Sequence, residues 1–353
     1  MSVTLADVAA RAGVSAATVS RVLNGNYPVA GTTRARVLRA VEELEYVVNG
    51  PASALAAASS DLVGVLVNDI ADPFFGIMAG AVQAQLGPGG DGDAGPGPRM
   101  AIVCNTGGSR ERELTYLTLL QRQRAAAVVL TGGAVEDEEH TAALSARLRR
   151  LAAAGARVVL CGRPPLPEPG PVTLTFDNRG GARRLTEHLL GLGHRVIGYL
   201  AGPAARTTTR HRLEGHRAAL AAAGLAGGHE RLIVHGAYDR AAGYDGAIAL
   251  LDREPGLTAV IAANDTVALG VCAAFRDRGL RVPEDVSVAG FDDLPFAADI
   301  TPSLTTVRVP LQEAGAHAGR LALGHDKAPA DGVITCPTTL VPRFSTAPPP
   351  EKA

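Results

Sequence analysis

The chain has 353 residues, 46% of them hydrophobic and 20% charged, with a formal net charge of −1. That length can bury one large core, or two smaller ones beside a minor domain, and the near-neutral balance excludes bulk attraction to nucleic acid or membrane. No apolar run approaches the ~20 residues of a membrane span, and the first residues lack the basic start and apolar stretch of a signal peptide, so a cytoplasmic protein with no membrane partner is expected.

Thr4 and Asp7 form a T-x-x-D capping box that starts a helix over 5–12. The stretch 12–15 (Ala-Gly-Val-Ser) breaks it, and Ser15 caps a second helix over 16–24. A third, amphipathic helix is expected over 34–46, with Val37, Val41 and Leu44 on one stripe. Residues 1–48 therefore read as an all-α headpiece and 49–60 as a linker holding a short Ala-rich helix, 52–58, opened by Gly50-Pro51. A helix that short does not persist alone in water, so it is expected to order only on a partner.

From residue 61 the rhythm changes. Strand-like apolar runs at 62–67, 101–104, 127–130, 158–161, 172–176, 196–200, 232–234, 260–263 and 286–289 alternate with helical stretches such as 180–192 and 267–278. Such alternation predicts parallel sheets covered on both faces. The Pro-rich stretch 162–171 is expected to cross between two sheets, which divides the core (61–346) into an N-lobe of about 61–161 plus 293–325 and a C-lobe of about 162–292 plus 326–346. The proline-rich tail, 347–353, is expected to be disordered and carries no apolar heptad.

The segment from Ala9 to Asn24 is the most informative. It combines two helices, a Gly13 turn, small residues where the helices cross, and an outer face of hydroxyls beside one arginine. A helix presented in this way can set its N-terminus and its Ser and Thr hydroxyls on phosphates, while Arg21 reads guanine in the major groove. A packing hairpin would be the plainer explanation, but hydroxyls on an outer face serve no packing purpose. Residues 1–60 hold five arginines against four acids, so one headpiece is a weak binder and a dimer is expected to double the contacts.

This segment resembles the headpiece of the LacI/GalR family of bacterial regulators. Val29-x-x-x-Thr33-Arg34-x-Arg36-Val37 and Leu44-x-Tyr46-x-x-Asn49 extend the likeness. So do Leu189-x-x-Leu192-Gly193-His194, Arg212-x-x-Gly215, Ala263-Asn264-Asp265, Gly290-Phe291-Asp292-Asp293 and Arg343-x-Ser345-Thr346, in family order over about 3–346. The resemblance implies an α/β chain: a helix-turn-helix headpiece plus a two-lobed, periplasmic-binding-protein-like core of doubly wound parallel sheets. It puts base reading on Ala16, Ala17 and Arg21, and mostly backbone contacts on Thr4, Ser15, Thr18, Ser20 and Asn24. Ala52 and Leu55 would belong to a hinge helix, with Leu55 wedged into the minor groove. Ser53, Gly50-Pro51 and Ala30 depart from the usual pattern.

The resemblance also places a small ligand between the lobes, at the carboxyl ends of the strands, where open α/β sheets bind ligands on general grounds. Candidates are Asp72, Phe74 and Phe75 after the first strand, then Asp177, Arg212, Tyr238, Asn264 and Asp292. Asn264 and Asp292 have a plainer role open to them as helix caps, and Arg212 as a partner of Glu214. Arg, Asn and Asp with one or two aromatics suit a polyol, so a carbohydrate is the favoured effector and a nucleobase the alternative.

Other features carry little. Cys104, Cys161, Cys272 and Cys336 are far apart and read as buried free thiols of a reducing compartment, not as a disulfide frame or metal site. Gly90-x-Gly92-x-x-Gly95 fits a dinucleotide fingerprint, but it follows no strand, and Pro96 and Pro98 keep a helix from opening there. No cofactor and no catalysis are implied. A transport receptor would share the lobes without a headpiece, and a dehydrogenase would need a real fingerprint. The reading that explains both halves is a homodimeric repressor of a pseudo-palindromic operator, controlled by a small effector.

Overall fold

A computed structural model of the chain describes residues 3–24, 28–46, 60–87, 99–166, 170–225 and 227–350. The chain separates into two compact units, Met1–Ser60 and Asp61–Ala353. The hinge residues Ala52 and Leu55, the Gly50-Pro51 pair and the Gly90–Gly95 loop lie outside the described residues.

The first unit contains α1 (Leu5–Ala12), α2 (Ala16–Asn24) and α3 (Gly31–Glu43). The capping box forms as expected: the Thr4 hydroxyl accepts from the Asp7 N–H, while the Asp7 carboxylate accepts from the Thr4 N–H at 2.8 Å. Gly13 ends α1 in the left-handed region at φ 64°, a conformation glycine adopts without steric penalty. Val8, Val19, Val22 and Val37 close a small core from all three helices. The third helix starts three residues earlier than expected and ends at Glu43. The Ala30 carbonyl already accepts from Arg34, and the chain turns left-handed at Glu45.

The second unit opens with β1 (Leu62–Val67), α4 (Pro73–Ala84), β2 (Met100–Asn105), α5 (Arg110–Arg122), β3 (Ala127–Thr131), α6 (Glu138–Ala153), β4 (Arg157–Cys161) and β5 (Val172–Phe176). There follow α7 (Asn178–Gly191), β6 (Ile197–Ala201), α8 (Thr207–Ala222), β7 (Ile233–His235), α9 (Arg240–Arg253), β8 (Ala259–Ala262), α10 (Asp265–Asp277) and β9 (Ser287–Ala289). The chain closes with α11 (Phe296–Asp299), β10 (Thr306–Arg308), α12 (Leu311–Leu323), β11 (Val333–Cys336) and β12 (Thr339–Val341). One sheet has the order β11-β5-β4-β3-β1-β2 and the other β7-β6-β8-β9; both are parallel throughout. β3, β6 and β8 are buried along their whole length, as strands covered by helices on both faces must be.

The lobe boundaries need correcting. β5 pairs with β4, and β11 with β5, so residues 172–176 and 333–336 belong to the first lobe. The Pro-rich stretch therefore joins neighbouring strands of one sheet. The crossings fall instead after β5, between β9 and α12, and between β11 and β12, which pairs antiparallel with β10. Proline punctuates a chain without saying which strand follows, because parallel pairing is fixed by long-range contacts. The expected disorder of the tail is also corrected at Ala347. The Ala347 carbonyl accepts from His194 at 2.8 Å, and its N–H donates to the Ser287 hydroxyl at 3.1 Å. Among the thiols, Cys104 and Cys161 are buried, and burial pushes Cys161 up to about 12, whereas Cys272 and Cys336 are only half-buried.

One buried histidine gives the core a pH dependence. His216 on α8 is 1% exposed, lies 4.7 Å from the Tyr199 ring and bonds through Nδ1 to the Thr186 hydroxyl at 3.0 Å. That hydroxyl already donates to the Ala182 carbonyl, so His216 Nδ1–H is the donor to it. Burial lowers its pKa to about 3. The unfolded chain takes up a proton below about pH 6.5 that the folded state refuses, so this contribution is complete above that pH and is lost as pH falls toward 3. Between pH 7 and 5 the loss from this one site is about 2 kcal/mol. Urea unfolding of His216→Gln at both pH values should show a gap narrower by about that amount than in the parent chain; an unchanged gap would mean that His216 is protonated in the fold.

Candidate functional site

Two surfaces collect the candidate residues. On the headpiece, Ser15 starts α2: its hydroxyl accepts from the Thr18 N–H at 3.2 Å and lies 2.9 Å from the Thr18 hydroxyl. Val19 and Val22 turn inward, which leaves Ala16, Ala17 and Arg21 exposed along the other face, with Ser20 half-buried beside them. Thr4 is exposed at the start of α1, and Asn24 closes α2. Arg36 donates to the Gly13 carbonyl at 3.2 Å and ties α3 to the turn that presents α2.

In the second unit a cleft of about 280 Å³ opens between the sheets. Seven of the eight expected residues line it: Asp72, Phe74, Phe75, Arg212, Tyr238, Asn264 and Asp292. Asp72 caps α4, accepting from the Phe74 N–H at 3.0 Å, and so sets both aromatic rings at the end of β1. Asn264 does cap α10, accepting from the Val267 N–H at 2.8 Å, and the residue also lines the cleft. Tyr238 is held by the Thr209 hydroxyl at 2.6 Å.

Arg212 is the centre of the arrangement. It is 4% exposed and donates through Nε to Asn178 at 2.8 Å, through one terminal nitrogen to the Ala263 carbonyl, and through the other to Asp292 at 2.8 Å. Its guanidinium also lies 3.6 Å from the centre of the Phe291 ring. Glu214, the alternative partner, pairs with Arg179 and Arg210 instead. Asp292 is no helix cap; Pro295 opens the following helix. Its φ of 111° and the 56° of Asp293 are left-handed for non-glycine residues, and neighbouring bonds hold them there. The Asp292 N–H donates to the Val307 carbonyl at 2.8 Å, and Arg308 and Arg343 both grip Asp293. Burial raises the Asp292 carboxyl pKa against the pull of Arg212, and Asp72 adds to the rise.

Asp177 stands apart from the cleft lining. It caps α7, accepting from the Gly180 N–H at 2.8 Å, and with Arg184 and Thr338 fastens two chain crossings together. Several cleft residues were not anticipated. Arg206 opens α8 and reaches the carbonyls of Gly133 and Gly108, at 3.1 and 3.2 Å, in the other lobe. The Glu136 and Thr207 N–H groups, donating to Ala205 and Ala134, complete a clasp between the lobes. Asn68, Asp69 and Asp239 also line the cleft. Asp265 is fully buried and accepts from Thr306 and the Leu294 N–H, pinning the crossing that carries Asp292. Asp69 had a legible signal, because it follows β1 at its carboxyl end. Arg206 had none, since its role depends on two loops 73 and 98 residues earlier in the chain.

Comparison with known proteins accords with this geometry. Residues 4–49 match the family described as bacterial regulatory proteins, lacI family, and residues 186–346 match the periplasmic binding protein-like domain. The chain is 38% identical to the transcriptional regulator GalS of Salmonella typhimurium over 98% of its own length and 97% of that protein's. Among solved structures it resembles a lac repressor dimer bound to operator and an anti-inducer (TM-score 0.77, 27% identity, covering 98% of this chain and 100% of that one). It also resembles a complex of the regulator CelR with cellobiose (TM-score 0.66, 32% identity, covering 97% and 99%).

The buried pair makes a stability test available. Arg212→Ala leaves the Asp292 carboxylate buried without its counter-charge and should cost about 3–5 kcal/mol in core unfolding. The double variant Arg212→Met/Asp292→Leu removes both charges and should recover most of that loss. Equal destabilisation by the single and double variants in urea melts would show that the pair is not the cause.

Proposed function

The chain belongs to the lacI family of bacterial regulatory proteins, and on that premise we propose that it is a non-catalytic, cytoplasmic repressor whose operator affinity is set by a carbohydrate held between its lobes. The observation that carries this reading is the conjunction, in one chain, of the exposed Ala16–Ala17–Arg21 face and a cleft built around Arg212. Exposed alanines offer only methyl groups to bases, so Arg21 supplies the hydrogen-bonded reading, and Thr4, Ser15, Thr18 and Ser20 place the helix on phosphates. Phe74 and Tyr238 border a cleft whose polar groups suit vicinal hydroxyls, and its volume lies near the small end of the roughly 300–1,000 Å³ of small-molecule sites.

Two headpieces reading a pseudo-palindrome require a dimer. β2 is the outer strand of its sheet and carries exposed Met100 and Val103, an edge that a second copy can cover. Effector binding then acts on the two chain crossings that Arg212 holds, at Asn178 and Asp292, with a coupling between sites of about 1–3 kcal/mol.

The test begins with selection of an operator from random duplex. On the selected sequence, Arg21→Ala should weaken binding by about 1–3 kcal/mol and relax the preference at one guanine per half-site. Titrating sugars into the preformed complex should change operator affinity in the parent chain, while Asp292→Asn should bind operator without responding. An unaltered sequence preference in Arg21→Ala would remove the recognition-helix assignment, and a normal sugar response in Asp292→Asn would remove the cleft assignment. Sedimentation at micromolar concentration should show a dimer.

A further inference from the structure

We infer that the cleft accepts only sugars without a phosphate or carboxylate, because its two arginines are committed to protein acceptors while its four aspartates each keep an oxygen for the ligand. The inference rests on reading the cleft as the effector site and concerns which sugars that site admits.

Two arginines in a ligand cleft ordinarily point to an anion, since the guanidinium fork matches phosphate and carboxylate. Here both guanidiniums are already fixed by protein acceptors, and the carboxyl groups around them outnumber them. Arg206 gives one N–H of each terminal nitrogen to the Gly133 and Gly108 carbonyls, which fixes its guanidinium against the other lobe and leaves three of its five N–H groups. The contact is close enough that a Cβ added at Gly108 would lie 2.8 Å from the Arg206 guanidinium. Arg212 gives Nε and both terminal nitrogens to Asn178, Ala263 and Asp292. Of its five N–H groups, at most two remain for a ligand, next to a carboxylate that already balances the charge.

The carboxyl groups show the opposite pattern. Asp69, Asp72 and Asp239 each spend Oδ1 on a backbone N–H, of Ala71, Phe74 and Ala242 respectively. Asp292 spends Oδ1 on Arg212. No hydrogen bond within the protein engages the second oxygen of any of the four among the described residues, and all four residues line the cleft. The lining includes no lysine or histidine among those residues, so carboxyl groups outnumber cations four to two. A hydroxyl-rich neutral sugar donates to these oxygens. A sugar phosphate or uronate brings acceptors and negative charge to a wall of acceptors, at a like-charge penalty in a partly desolvated site.

The experiment is calorimetric titration of the purified full chain with matched sets at equal ionic strength: glucose, glucose 6-phosphate and glucuronate; galactose, galactose 6-phosphate and galacturonate; cellobiose and cellobionate. The neutral member of the set that fits should bind, with its anionic counterparts weaker by roughly 100-fold or more. Asp69→Asn/Asp239→Asn keeps both backbone-capping oxygens while removing two charges, so the fold is retained and the gap should shrink by roughly tenfold. An anionic member that binds as well as its neutral counterpart overturns the inference and leaves the carbohydrate reading standing. A gap unaffected by the double variant overturns the electrostatic cause. If no sugar in the panel binds, the inference and the carbohydrate reading fall together.

Discussion

The ion pair between Arg212 and Asp292 joins parts of the core that the chain leaves far apart. Arg212 stands on α8 in the second lobe, and Asp292 lies on the segment by which the chain leaves that lobe for the first. Through Nε the same guanidinium holds Asn178, the residue that opens α7 just after the earlier crossing. Taking both charges out of water carries a large desolvation cost, so such a pair is better understood as fixing one geometry than as adding net stability. The left-handed backbone at Asp292 and Asp293 fits this view, because backbone of this kind persists only where its surroundings determine it.

The other crossings are stitched by similar means. Asp177, Arg184 and Thr338 tie the segment after β5 to the segment between β11 and β12. Asp265 fixes the segment that carries Asp292, and a Cβ at Gly290 would lie only 2.3 Å from its carboxylate. A ligand touching Arg212 and Asp292 therefore sits against two of the three segments about which the lobes can turn. The Arg206 clasp gives the lobes further bonds that must break if the cleft opens, which makes a two-state response more natural than a graded one.

The headpiece follows a different logic. Its core is a few valines and alanines, and what it presents is set mostly by local rules, a capping box and a left-handed glycine, with one tertiary tie from Arg36 on α3 to the turn. Its charge is nearly balanced, so affinity for DNA has to come from the paired presentation of two such units in a family whose members work as regulators.

The sequence by itself determined what depends on neighbours along the chain. The Thr4–Asp7 box, the Gly13 turn, the inward valines of α2 and the alternation of strands and helices are local patterns and were legible as such. Seven cleft residues were reachable because ligand sites in parallel sheets gather at strand ends and because the resemblance marked Arg212, Asn264 and Asp292. The tertiary structure alone decided which sheet β5 and β11 join, since an apolar parallel strand reads the same in either lobe and only its partner assigns it. It also decided the roles of Asp177 and Arg206. A carboxylate after a strand can serve a ligand or a helix, and an arginine at a helix start can serve an anion or a distant carbonyl. The choice is made by groups 70 to 160 residues away in sequence, brought within hydrogen-bond reach only by the packed lobes.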